Sequence, residues 1–135
     1  MFIDYPIDQL HPEAFKAHEA ANCAGDQGKY WEMHVKLFEQ PPPRDSAQLV
    51  PLLVSQAQAV GLDAAKFRSC FESGKYATPV KDNVARMQAL GVDSTPTFLI
   101  GMTPAPGQPM KVVRVVRGAV PFSQFKAAID EVLAQ

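Results

Sequence analysis

Residues 95–100, TPTFLI, break with everything before them. A proline with fixed φ and no N–H leads into a β-branched and aromatic run, which reads as a strand. A second such run follows as VVRVV at 112–116, and the alternation of Arg114, Val115, Val116 and Arg117 leaves one face to water. The stretch between them contains TPAPGQP at 103–109 and reads as a loop. Each proline there removes a donor and pushes its predecessor away from helix. Gly118 ends the second strand. Residues Phe122 to Leu133 then form an amphipathic helix with Phe125, Ile129, Val132 and Leu133 on one side.

Upstream the period is helical. Residues 2–7, FIDYPI, read as a short strand ending at a proline turn, and Pro12 suits the first turn of a helix. From Glu13 to Ala24 alanines recur among polar residues, until Gly25 and Gly28 break the run. Residues 29–39 place Tyr30, Met33, Leu37 and Trp31, Val35, Phe38 at helical spacing, and Pro41-Pro42-Pro43 ends that helix. A third helix runs from about Asp45 to Val60, with Pro51 delaying its regular start or bending it, and Gly61 stops it. Asp63 is the N-cap of a helix that ends near Gly74, and Thr78-Pro79 opens another that ends at Gly91. The order is strand, four or five helices, strand, strand, helix. That is one α/β domain over 1–135, with a helical insertion at about 12–90.

Composition bounds the function. The chain has 135 residues, enough for one real core, with 47% hydrophobic and 20% charged residues. A net charge of −1 from 13 basic and 14 acidic residues argues against nucleic acid as partner. No apolar run approaches the roughly 18 residues of a membrane span, so no membrane partner is expected. The start, MFIDYPIDQL, lacks a basic n-region and an apolar signal core. If Met1 is the true start the chain is cytoplasmic; if this is a fragment of an exported protein it is extracytoplasmic.

Four segments carry a resemblance. DYPID with HPEAFKAHEAANCAGDQGKYWEMHVKLF in residues 4–38, FRSCFESGKY at 67–76, GVDSTPTFLI at 91–100 and RGAVPFSQFKAAIDEVL at 117–133 occur in order. Together they resemble the DsbA-like branch of the thioredoxin superfamily, the thiol–disulfide oxidoreductases. The resemblance implies a thioredoxin-like α/β fold with a helical insertion. It also implies a Cys-x-x-Cys pair at a helix N-terminus, where the thiol pKa falls and the thiolate attacks disulfides. A cis X-Pro bond faces that pair in the family, and here the matching residues are Thr95 and Pro96. A protein or peptide substrate pairs with such exposed backbone in extended form.

The departure from the family is as informative. The cysteines are Cys23 and Cys70, and no Cys-x-x-Cys is present. The first core strand and the active-site helix of the family are missing, so Phe2–Ile7 lack their usual neighbour. The expected compensation is strand swapping in a homodimer, a strand from a partner, or re-pairing of the remaining strands. Cys23 and Cys70 are two buried thiols, a structural disulfide such as some family members carry in comparable helices, or a catalytic pair. They lack the shared helix N-terminus that makes Cys-x-x-Cys reactive.

The other candidates read as structure. His11, His18 and His34 are scattered, and no metal site or cofactor is expected from them. His11 serves the turn before Pro12. Phe15, Tyr30, Trp31 and Phe38 are expected in the core. Lys111, Arg114 and Arg117 form a solvated strand face or edge that discourages aggregation. Three functions follow. The chain is the larger part of an oxidoreductase without its redox centre, with no catalytic residue of its own and Thr95 and Pro96 as substrate contacts. Alternatively it is a non-catalytic module binding an extended peptide or partner through an open sheet. In the third reading Cys23 and Cys70 form a redox switch.

Overall fold

The computed structural model describes residues 1–42 and 46–134, arranged in two compact units, Met1–Met87 and Gln88 onward. The first holds α1 (Ala14–Gly25), α2 (Tyr30–Glu39), α3 (Ser46–Ala59), α4 (Ala64–Glu72) and all but the last two residues of α5 (Ala77–Ala89). The second holds β1 (Thr97–Ile100), β2 (Arg114–Arg117) and α6 (Phe122–Leu133). The described architecture is thus helix-rich α/β with a small two-stranded sheet.

The first unit is built around the alanines of α1. Ala20, Ala21 and Ala24 are buried with Cys23, and their small side chains let α2 and α4 approach closely. Met33 and Leu37 of α2, Leu53 and Ala57 of α3, and Phe67 and Phe71 of α4 complete this core. Burying a side chain such as Phe67, which has no exposed surface, contributes about 2 kcal/mol. Local chemistry sets the helix ends. Asp63 accepts from the N–H groups of Ala65 (2.9 Å) and Lys66 (3.0 Å), satisfying two donors at the start of α4. The Gln27 side chain and the Asp63 backbone exchange two hydrogen bonds, so this cap is tied to the turn after α1. Gln56 of α3 donates to the Gln40 carbonyl at 2.6 Å, satisfying an acceptor just past α2.

Several expectations are corrected. Residues 2–7 are not a strand, because no strand among the described residues stands beside them to share a ladder. Their backbone leads instead into a turn in which the Leu10 and His11 N–H groups bond the Ile7 carbonyl, and Ala14 N–H bonds that of His11. Trp31 and Phe38 are exposed rather than core, because α2 carries two apolar faces and Met33 and Leu37 take the core. Leu133 is likewise exposed, leaving Val132 as the buried residue of α6. Pro51 does not delay α3, which is already regular at Ser46. The expected start of that helix at Asp45, and Pro43 of the triple proline, lie outside the described residues.

In the second unit β1 and β2 pair antiparallel, with Thr97 opposite Arg117 and Ile100 opposite Arg114. Both strands are shorter than the apolar runs: Thr95 and Pro96 precede β1, while Val112 and Val113 precede β2. Phe98 meets Phe125 of α6 edge to face, ring centroids 4.6 Å apart, and Arg114 donates from Nε to Glu131 at 2.9 Å. The hairpin narrows at its loop. A Cβ on Gly101 would stand 2.2 Å from the Lys111 carbonyl oxygen, closer than any real contact. Gly101→Ala must therefore displace backbone. It is expected to cost about 1–3 kcal/mol, read as a lower denaturation midpoint. An unchanged midpoint would show that the strand ends do not need this approach.

Candidate functional site

Thr95 and Pro96 form the entry to β1. Both are exposed, and the peptide bond between them is cis. The turn is held from both sides: Thr97 Oγ1 donates to the Ser94 carbonyl at 2.7 Å, and Gly118 N–H donates to the Pro96 carbonyl at 2.8 Å. The bond from Gly118 extends the β1–β2 pairing by one step and fixes Pro96 against the end of β2. Thr95 engages no hydrogen bond among the described residues, so its backbone is free to take one from outside.

Cys23 and Cys70 are joined by a disulfide, with Cα atoms 5.9 Å apart. The bond links α1 to α4. Cys23 is almost fully buried and Cys70 half-buried. The turn after α1 brings Asp26 to the same place, its Oδ2 3.6 Å from Cys70 Sγ. Lys75 donates to Asp26 Oδ2 and Tyr76 to Oδ1, each at 2.6 Å. The hydrogen bond from Lys75, then that from Tyr76, holds the Asp26 carboxyl below its usual range. The same bond to Asp26 holds the Lys75 ammonium above its own. Burial, then the Asp26 carboxylate, raises the Tyr76 phenol. Each cysteine lies in the last turn of its helix, at the negative end of the dipole. A thiolate on either sulfur is thus disfavoured by the helix end, while the Asp26 charge beside Cys70 is paired with Lys75. This is the reverse of the setting that activates a thiol.

A third constellation was not read from the sequence. Asp4 is buried, and His18 donates to it from Nδ1 at 2.7 Å. Asn22 and Asn83 donate to its other oxygen at 3.1 and 3.4 Å. One carboxylate so ties the N-terminal segment to α1 and α5. Burial pushes this carboxyl up, but the bonds from His18 and Asn22, the His18 charge and the bond from Asn83 outweigh it and leave the value lowered. Burial first, and then the Asp4 charge, hold the Tyr30 phenol protonated far into the alkaline range. Burial and then the His18 charge lower His34. The available signal was an acidic residue set inside the otherwise apolar run FIDYPI. Asn22 and Asn83 carried none. Phe2 lies edge-on to Tyr30, Trp31 and His34, with centroids 5.5–6.0 Å apart, so a cluster of rings sits beside this network. Among the described residues no three His, Cys, Asp or Glu side chains gather to hold a metal ion, and no helix is long and apolar enough to cross a membrane.

Comparison with known proteins places the chain in context. A family model described as Thioredoxin matches residues 1–131. The Na(+)/H(+) antiporter NhaA 1 of Salinispora arenicola is 34% identical over 96 residues, covering 70% of this chain and 14% of that protein. NhaA 3 of Salinispora tropica is 32% identical over 95 residues, again 14% of its length. The uncharacterized protein YwbO of Bacillus subtilis is 28% identical over 107 residues, 78% of this chain and 54% of that one. The chain therefore spans only a small part of the antiporters it resembles. No solved structure matches it.

The Asp4 network yields a signed pH dependence. Because the folded carboxyl titrates below its ordinary value of 3.8, its contribution is complete above that pH and is lost as pH falls below it. Asp4→Asn is expected to cost about 1–3 kcal/mol at neutral pH, with the gap to the native chain closing in acid. Denaturation at neutral and acid pH measures this; a gap independent of pH would contradict it.

Proposed function

The chain belongs to the thioredoxin family, and from that premise we propose that it is a DsbA-like module which binds an extended polypeptide at Thr95 and Pro96 and does not itself exchange disulfides. In this reading residues 1–135 form one domain, its helical insertion at about 12–90 corresponds to α1–α5, and Cys23–Cys70 is a staple. The observation that carries it is the placement of both sulfurs in the last turns of their helices, at the negative ends of the dipoles. An exchange-active pair needs a stabilised thiolate as attacking and leaving group, and these surroundings oppose one. No Cys-x-x-Cys in the 135 residues supplies an alternative.

Peptide contact rests on different features. Thr95 is exposed and unengaged, and the outer edge of β1 carries no strand among the described residues. An extended segment laid along that edge gains main-chain hydrogen bonds, with Phe98, 40% exposed, beside it for an apolar side chain. The likeness to a short stretch of much longer antiporter chains fits a module that recurs inside larger proteins. It supports no transport activity for this chain.

Two measurements test the reading. In graded thiol buffers the Cys23–Cys70 bond is expected to stay closed until about −300 mV or below. Replacing both cysteines by serine is expected to cost about 4 kcal/mol, from the 47-residue separation of the bridged positions. A bond that opens at mild potential would revive an exchange or switching role. Separately, NMR titration with an unfolded, thiol-blocked polypeptide should shift residues 94–100, and Thr95→Arg should weaken the effect. Shifts elsewhere, or none, would overturn the peptide site.

A further inference from the structure

Two cysteines and five methionines hold the sulfur of this chain. Cys23 and Cys70 are closed in the disulfide, so the thioethers are the sulfurs left to a two-electron oxidant. The fold sorts them by access. Met33 of α2 has no exposed surface, and Met87 of α5 is buried. Met1 is the first residue and fully exposed. The other two, Met102 (57% exposed) and Met110 (39%), bracket the loop TPAPGQP at 103–109, one on each limb of the hairpin. A hydroperoxide reaches these two without any opening of the fold, whereas Met33 and Met87 react only as their packing opens.

The two thioethers of the hairpin are not equivalent. Met102 is in water over more than half its surface. Met110 is more covered, and the opposite limb takes part in covering it. Its Cγ lies 3.3 Å from the point where a Cβ on Gly101 would stand. The missing side chain of Gly101 thus leaves room both for the Lys111 carbonyl and for the stem of Met110. This packing sits at the loop end of the pairing. Val113 N–H donates to the Ile100 carbonyl at 2.9 Å, one residue before β2 and at the last residue of β1. Beyond that bond only four residue pairs join the strands. A two-stranded sheet this short is marginal by itself, so a contact at its end counts for much of its closure.

We infer that Met110 is an oxidation site whose thioether fastens the hairpin while reduced and releases its loop end once oxidised. The oxidant is a hydroperoxide. Its terminal oxygen passes to Met110 Sδ: the O–O bond breaks, an S–O bond forms, and the sulfur gives up two electrons. Hydrogen peroxide leaves as water, and the protein neither gains nor loses a proton. The sulfoxide is polar where the thioether was apolar, and it draws the side chain toward water. The stem then leaves Gly101, and the limb from Met110 to Val113 loses its packing against the end of β1. Met102, largely in water already, takes the same oxygen at little structural cost. The inference does not rest on the peptide reading at Thr95 and Pro96, which lie at the other end of β1.

Treating the folded full chain with hydrogen peroxide, then mapping oxidised peptides by mass and following amide hydrogen exchange, tests it. Met102 and Met110 should oxidise at least about tenfold faster than Met33 and Met87. Exchange at the Val113 amide should rise at least about fivefold in the oxidised chain, with the amides of α1 unchanged. Met110→Leu keeps the volume and the apolar character, and should remove that rise. Met102→Leu should leave it. Met110→Gln, polar without any oxidant, should speed exchange at Val113 in the untreated chain, with far-UV circular dichroism as the fold control. Oxidation of Met33 or Met87 as fast as Met110 overturns the inference. So does a Val113 amide that oxidation or Met110→Gln leaves unmoved, or a rise that survives Met110→Leu or vanishes with Met102→Leu.

Discussion

The Cys23–Cys70 bond is the constraint on which the first unit depends. It joins the last turn of α1 to the last turn of α4, and the whole of α2 and α3 lies between the bridged residues. The α1 face that it anchors is built of alanine, which contributes little apolar area per residue. A helix of that kind packs closely but holds weakly. The covalent link, together with the Gln27–Asp63 exchange between the same two regions, offsets that weakness by limiting the unfolded chain. The electrostatics around the sulfurs act in the same direction. Two helix C-terminal ends oppose the thiolates that reduction would create, so the surroundings of the bond help to keep it closed.

Features decided within a few residues were legible in the sequence. Asp63 as a cap, Gly118 after β2 and the span of α6 all depend on local backbone chemistry, and the structure has them where the pattern put them. Features decided by distant neighbours were not. FIDYPI has strand composition, yet a strand exists only against another, and the described residues provide none for it. The helix of residues 30–39 has apolar residues on two sides, and periodicity alone does not say which side meets α1 and α3. That is why Trp31 and Phe38, which the period equally allows in the core, lie outside it. The strand ends follow from pairing as well: the register that sets Ile100 opposite Arg114 leaves Val112 and Val113 before the ladder.

The site residues divide in the same way. From their own residues Thr95 and Pro96 read only as a turn before a strand; it is the family resemblance that marks them as substrate contacts. Asp4 with His18, Asn22 and Asn83 spans most of the first unit, and only Asp4, an acid inside an apolar run, leaves a trace in the sequence. Its logic is energetic: a buried carboxylate is tolerated because three side chains donate to it. Asp26 with Lys75 and Tyr76 is similar, since Asp26 is brought to them by a turn rather than by spacing.

The loop between β1 and β2 has one further effect, which concerns the unfolded chain rather than the folded one. Pro104, Pro106 and Pro109 fall within the residues that must close before Ile100 meets Arg114. Each fixes one φ angle and restricts the residue ahead of it, in the denatured ensemble as much as in the native state. The hairpin therefore starts from a stiffer chain with fewer conformations to surrender on closure. A sheet of only four residue pairs gains little enthalpy with which to meet that entropy. The same loop made of glycine and serine would be more supple and would leave the hairpin less formed.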